Sequence, residues 1–250
     1  MALATSSSLE AGLRKLGLDK GDTVMVHASL RAVGPIEGRA EVLVNAIINV
    51  LTDTGTLMAY VDYEPTEAAP NFDIVTSPAR SDYGVFAEIV RTWPEACRSA
   101  NPGASVSAID QKARWICENH PMNYGYGEKS PFAKLVKHEG KVLLLGADFD
   151  HVTLIHHAEH LANLANKRVI QRPERICKDG KIAEVTIEEF DTGKPVVEGM
   201  PKFYFKTIVE KFIESNDRET GRVGSADSFL LPARGLVNFA IAKMEAEFGN

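Results

Sequence analysis

Apolar positions follow two alternating rhythms through the first half of the chain. Leu9, Leu13, Leu16 and Leu18 recur at helical spacing and stop at a glycine-flanked turn, which predicts a helix. Thr23 to His27 reads as a buried strand running into a loop, and Ala40 to Leu51 as a helix ended by the turn-forming residues 52–55. Gly55 to Val61 is the next strand. Strand, loop, helix and strand in that order predict a layered α/β fold.

The rhythm breaks over residues 62–78. Pro65, Pro70 and Pro78 with little periodicity predict a long loop, and long loops in compact domains often carry function. Helical patterns resume at residues 82–93 and 110–119, with a short strand at 104–109 between them. Ser130 followed by Pro131 is a strong helix start. Residues 141–147 form a continuous apolar run ending in glycine, as expected of a central strand covered on both faces.

A helix is then predicted over about 153–166, with Thr153 as its N-cap. A strand, a short loop and a helix N-terminus in succession mark where open α/β sheets place ligands. Asp179-Gly180 predicts a hairpin, and so a change to antiparallel structure. Two closing helices, 202–215 and 233–248, flank a polar, glycine-rich loop at 221–228. The fold class expected is α/β: an α/β/α sandwich around a mixed, largely parallel central sheet, with a small antiparallel β/helical C-terminal subdomain. The 250 residues suit a single domain, with a minor subdomain at about 168–220.

Composition narrows the class. The chain is 44% hydrophobic and 25% charged, enough for a sizeable core, and no apolar run is long enough to cross a bilayer. The N-terminal residues lack the pattern of a signal peptide, so a cytoplasmic protein is expected. Cys97, Cys117 and Cys177 are odd in number and widely spaced, which predicts neither a disulfide framework nor a metal knuckle. The formal net charge of -6 argues against non-specific nucleic-acid binding and fits a cationic partner.

The densest chemistry is the run Thr153-Leu-Ile-His-His-Ala-Glu-His160. It supports three readings. His156, Glu159 and His160 match the inverted zincin pattern, which needs a third ligand such as Glu189, Glu198 or Glu210. Alternatively, His156 in a helix's first turn is kept neutral by the macrodipole and acts as a general base, with Glu159 one turn along the same face. The third reading is an ordinary helix face whose histidines are satisfied.

Several segments together resemble the aminoglycoside 3-N-acetyltransferase family, from about Gly17 to near Ala242. They are GDTVMVHASLRAVG, GTLMAYVDY, the block FDIVTSPARSDYGVFAEIVRTWPEACRSANPGAS, SPFAKLVKHEGKVLLLGADFDHVTLIHHAEH and GRVGSADSFLLPARGLV. The resemblance implies an enzyme that uses acetyl-coenzyme A and no metal, and that acetylates the 3-amino group of 2-deoxystreptamine antibiotics. It assigns His156 as the catalytic base and Glu159 as its acidic companion, through the matched residues Thr153, His156, Ala158 and Glu159. By the same analogy Ser29, Leu30, Arg31, Ser105, Val106 and Thr153 hold the cofactor. An acidic amine site is expected from Asp62, Tyr63, Asp73 and Glu159, with Asp148 and Asp150 equally suited to capping. In one place the chain departs from the family: Asn101 stands where the block often has histidine. Besides the cationic substrate the expected partners are at most a second copy of the chain, with no nucleic acid and no membrane. The alternatives are an acetyltransferase for another small amine and a zinc hydrolase on His156, Glu159 and His160.

Overall fold

The computed structural model describes residues 3–178, 180–216 and 220–249. Its elements run α1 (Ser6–Lys15), β1 (Thr23–Ala28), α2 (Leu30–Val33), α3 (Glu41–Leu51), β2 (Thr56–Tyr60), β3 (Phe72–Asp73), α4 (Gly84–Arg91), β4 (Cys97–Arg98), β5 (Val106–Asp110), α5 (Ala113–Cys117), α6 (Pro131–Lys137), β6 (Lys141–Leu145), α7 (Leu154–Leu161), β7 (Val169–Lys178), β8 (Lys181–Phe190), α8 (Tyr204–Asn216), β9 (Thr220–Val223), β10 (Ala226–Pro232) and α9 (Ala233–Phe248).

The strands with near-continuous apolar sequence form the centre of a seven-stranded sheet, in the order β4-β5-β2-β1-β6-β10-β9. Side chains alternate across a strand, so a sheet covered on both sides must be apolar at every position. Val24 and Val26 of β1, and Leu143 and Leu145 of β6, enter one core with Leu9, Leu13, Leu43 and Ile47. Met25, Val142 and Leu144 enter the other, with Phe132, Leu154, Phe212 and Leu236. Helices α1, α3 and α4 cover the first face, and α5 to α9 the second. The layered α/β/α architecture is therefore present.

The sheet is less parallel than expected. Only β1 with β2 and β1 with β6 are parallel. The pairings β2–β5, β4–β5, β6–β10 and β9–β10 are antiparallel. The reason is local: β9 and β10 are joined by a tight turn in which Gly224 adopts φ +60°, and antiparallel neighbours need no crossover helix. The segment 221–228, expected to be a loop, is this edge hairpin.

The second sheet has the order β3-β7-β8. The predicted hairpin forms as β7–β8, although Asp179 at its turn lies outside the described residues. The sheet is not confined to the C-terminal part, because Phe72 and Asp73 of β3 add to β7 in parallel. It is thereby tied to the proline-containing loop. No helix among the described residues is long and apolar enough to cross a membrane.

After β1 the chain turns to β2 on one side, while β6 lies on the other. A crevice at the carboxyl ends of such strands is where ligands bind in α/β sheets.

Candidate active site

The loop after β6 delivers the histidine helix. Asp148 accepts a hydrogen bond from the Asp150 amide and caps a single 3₁₀ turn, Phe149–His151. Because this turn already leads the chain helically into α7, Thr153 has helical dihedrals (φ −54°, ψ −27°) and its side chain makes no cap bond. The Thr153 hydroxyl donates instead to the His151 carbonyl, at 3.3 Å. The helix-start role expected of Thr153 thus passes to Asp148. Asp150 accepts from the Lys206 amide at 3.4 Å, joining this turn to α8.

His156 lies in the first turn of α7. Its Nδ1 meets Glu159 Oε2 at 2.6 Å, with side-chain exposures of 18% and 7%. Glu159 as a carboxylate only accepts, so Nδ1 carries the proton and Nε2 holds the free lone pair. Tyr126 and Phe205 flank the imidazole, with ring centroids at 4.9 and 4.7 Å. The other two histidines of the run turn away. His157 Nδ1 bonds to the Tyr126 carbonyl at 2.7 Å. The His160 ring lies against Tyr124 and Phe190 at 5.9 and 5.4 Å. Burial lowers the pKa of both. Glu159 is committed to His156, so the zincin triplet does not converge. Among the described residues no three His, Cys, Asp or Glu side chains gather as a cation site.

Tyrosines link this helix to the ends of the central strands. The Tyr126 and Tyr60 hydroxyls are 2.7 Å apart, and both lie within reach of the Gly103 carbonyl, at 3.1 and 3.2 Å, so one phenol donates to the other and the second donates to that carbonyl. Burial raises both phenols well above their usual range, so they stay protonated. Two residues beyond Tyr60, Asp62 is 6% exposed and its Oδ1 has no hydrogen-bond partner. Burial pushes its pKa up to about 7, against the opposing pull of Arg80, whose Nε is 3.9 Å away. A buried carboxylate with an unused acceptor is costly unless something pairs with it. Glu189 of β8 is a further buried acid that feels His156; it accepts from the Gly125 and Phe190 amides at 2.5 and 2.8 Å, and burial raises its pKa.

On the other side of Tyr60 lies a cavity of about 510 Å³ at the carboxyl ends of β1 and β6. Ser29, Leu30, Arg31, Tyr83, Gly146 and Asp148 contribute to its wall. Ser29 starts α2, its Oγ accepting from the Ala32 amide at 3.3 Å and its own amide donating to the Leu145 carbonyl at 2.9 Å. His27 also lines the cavity; burial, then His151, lowers its pKa to about 4, and its Nε2 is buried without a partner. A crevice with a helix start and an unsatisfied imidazole nitrogen can accommodate an amide-rich arm. Tyr60 lies on its wall and also reaches Tyr126, whose ring flanks His156, so two buried tyrosines connect the cavity wall to the imidazole.

The structure does not bring every expected residue to this point. Ser105 and Val106 are fully buried at the start of β5, away from the cavity wall. Ser105 Oγ donates to the Val61 carbonyl at 2.8 Å, and Val106 is core. Tyr63 closes its own loop, its hydroxyl donating to the Ala69 carbonyl and its ring stacked on Phe72. Asp73 accepts from the Val75 and Thr76 amides at 2.9 and 2.8 Å, a loop-capping geometry. Asn101 donates to the Pro121 and Met122 carbonyls at 2.8 and 3.0 Å and accepts from the Gly103 amide at 3.0 Å, so it braces the turn at 101–103 against residues 121–122. Tyr60, Tyr126, Glu189 and Phe205 were not expected. Each is an ordinary strand, loop or helix residue in sequence, and only the fold brings Tyr126, Phe205 and Glu189 near His156 and links Tyr60 to Tyr126.

Comparison with known proteins gives the family. The family profile described as Aminoglycoside 3-N-acetyltransferase matches residues 25–245. The aminoglycoside N(3)-acetyltransferase III of Pseudomonas aeruginosa is 38% identical over 262 residues, covering 98% of this chain and 95% of that protein. The solved binary complex of AAC-IIIb with CoASH superposes with a TM-score of 0.97 at 40% identity, covering 100% of this chain and 99% of the other. AAC-VIa bound to sisomicin superposes with a TM-score of 0.93 at 33% identity, with full coverage of both. With the profile matched over most of its length and such a relative aligned end to end, this chain belongs to the aminoglycoside 3-N-acetyltransferase family.

Proposed function

We propose that the enzyme transfers an acetyl group from acetyl-coenzyme A to the 3-amino group of the 2-deoxystreptamine ring of aminoglycosides, acting in the cytoplasm and conferring resistance. The observation that carries this reading is the 2.6 Å pair of His156 Nδ1 and Glu159 Oε2 at the start of α7, walled by Tyr126 and Phe205.

An alkylamine is mostly protonated at neutral pH and must lose a proton to attack a carbonyl. His156 Nε2, the lone-pair nitrogen, takes that proton. Glu159 holds the ring in the productive tautomer and stabilises the imidazolium that forms; proton transfer to a positioned base of this kind is worth about 10²–10⁴-fold. Asp62, whose buried Oδ1 has no hydrogen-bond partner and only the Arg80 Nε at 3.9 Å, and Glu189 supply negative charge for the polycationic acceptor. When bound, acetyl-coenzyme A supplies the activated thioester. Ser29, Leu30 and Arg31 would hold its arm in the crevice at the ends of β1 and β6. No cysteine is needed as a nucleophile: Cys117 is buried and its thiol is pushed up to about 12. Direct transfer within a ternary complex suffices.

The test is thiol release from acetyl-coenzyme A with a panel of aminoglycosides, comparing wild type with His156→Ala. Turnover on 2-deoxystreptamine compounds that falls at least about 100-fold in the variant is expected. No turnover on any of them by the wild type would favour a different small amine as acceptor.

A further inference from the structure

Arg98, on the two-residue edge strand β4, touches neither the cavity nor the histidine, yet it grips both ends of the loop that begins at Asp62. Its Nη2 donates to the Val61 carbonyl at 2.5 Å, its Nη1 to the Ser77 carbonyl at 2.5 Å, and its Nε to Ser105 Oγ at 3.3 Å. Ser105 Oγ donates to the same Val61 carbonyl. The guanidinium lies over the Phe72 ring, 4.9 Å from its centroid. These hydrogen bonds all go to neutral oxygens. A planar cation with a fixed fork of donors is thus held by two backbone carbonyls from opposite ends of one loop, a geometry that a lysine's single ammonium does not reproduce.

The rest of the loop is built to be held this way. Asp73 and Ser77 tie the distal end into one unit, Ser77 Oγ accepting from the Asp73 amide at 2.8 Å. A second, weaker tether comes from α4: Arg91 Nη1 donates to the Val75 carbonyl at 2.7 Å, and Glu88 Oε2 accepts from the Ala79 amide at 2.9 Å. The Asp62 carbonyl accepts from the Arg80 amide at 3.1 Å, closing the loop just beyond the clamp. Burial, and the nearby Arg91, lower the Arg98 pKa to about 10, which leaves the cation charged at neutral pH.

We propose that Arg98 is a positioning residue for the acceptor: by clamping the Val61 and Ser77 carbonyls it fixes Asp62, the next residue along, on the acceptor side of His156. This rests on the functional reading above. The experiment compares wild type, Arg98→Lys and Arg98→Ala in steady-state kinetics with both substrates, with and without millimolar guanidinium ion, and in limited proteolysis. The Lys variant keeps charge and length and loses the fork. A KM for the aminoglycoside raised about tenfold or more is expected, with kcat and the acetyl-coenzyme A KM within about threefold of wild type. Guanidinium is expected to restore the Ala variant in part, and the 64–76 segment to be cut faster in both variants. A wild-type aminoglycoside KM in Arg98→Lys would overturn the proposal, as would a parallel loss in both KM values and kcat without guanidinium rescue. If the Ala variant fails to fold, Arg98→Lys carries the test. If wild type acetylates no aminoglycoside, the functional reading fails by itself; equal cutting rates of wild type and Arg98→Lys would then overturn the clamp.

Discussion

Replacing Glu159 by Gln removes one charge and almost no volume, so it isolates what the carboxylate does for His156. In the wild type Oε2 is 2.6 Å from Nδ1, and the Glu159 side chain is only 7% exposed. When His156 takes a proton, a positive ring forms with its charge centre about 4 Å from the carboxylate; at an effective dielectric constant of about 20 the attraction is about 4 kcal/mol. Each 1.36 kcal/mol is a factor of ten in rate, so the ceiling is about 10³-fold. Solvent at the partly open imidazole trims this, giving an expected loss of about 10²–10³-fold in kcat. The amide also adds a tautomer penalty: if its N–H₂ faces Nδ1, the proton moves to Nε2 and the base is lost. The assay is thiol release under saturating acetyl-coenzyme A and aminoglycoside, with thermal melting as a control for folding. The acetyl-coenzyme A KM is expected to stay within about twofold, because Glu159 acts on the imidazolium and not on the cofactor arm. A variant that melts like wild type and keeps kcat within about threefold would refute the reasoning, since the charge would then contribute about 0.7 kcal/mol or less.

Three further outcomes follow. Asp62 has a folded-state pKa of about 7, raised by burial, so it is neutral below that value and charged above it; aminoglycoside KM is expected to improve as pH rises through about 7 and Asp62→Asn to flatten that dependence, which a KM–pH profile checks. The same raised pKa means that ionising Asp62 in the free enzyme opposes folding, so its contribution to stability declines from about pH 4 to about pH 7, and bound cation should offset this. Asn101→Ala leaves the Pro121 and Met122 carbonyls and the Gly103 amide without their partner; at about 1–3 kcal/mol per buried unpaired group, partly relieved by water, a loss of about 3 kcal/mol is expected. In a domain of this size that is about 6–12 °C in Tm, read by calorimetry; a change under about 2 °C would show that the loop braces itself without it.

Much of this protein was legible in the chain. Continuous apolar runs located the central strands and period-3.6 patterns most helices, because burial on both faces makes β1, β2 and β6 apolar at most positions. Ser130-Pro131 marked a helix start, and Ser130 Oγ does accept from the Ala133 amide. The spacing of His156 and Glu159 put them on one helix face, since residues three apart on a helix are neighbours, and the resemblance gave them roles. What the pattern could not supply was anything set by contacts distant in sequence. Antiparallel pairing of β5 and β10 depends on which strand each meets, and hydrophobic rhythm is the same for either direction. Ser105 and Val106, which the resemblance sets beside the cofactor, have side chains buried by the sheet, and no local pattern announces that burial. Asp73 and Tyr63 proved to be spent on the loop's own hydrogen bonds. Tyr60, Tyr126, Glu189, Phe205 and Arg98 carry no signal in sequence; only the fold sets Tyr126, Phe205 and Glu189 near His156, links Tyr60 to Tyr126, and lays Arg98 against the loop that begins at Asp62. Local periodicity is written residue by residue, whereas a site is a convergence of side chains from far apart along the chain, and only tertiary packing chooses which of them meet.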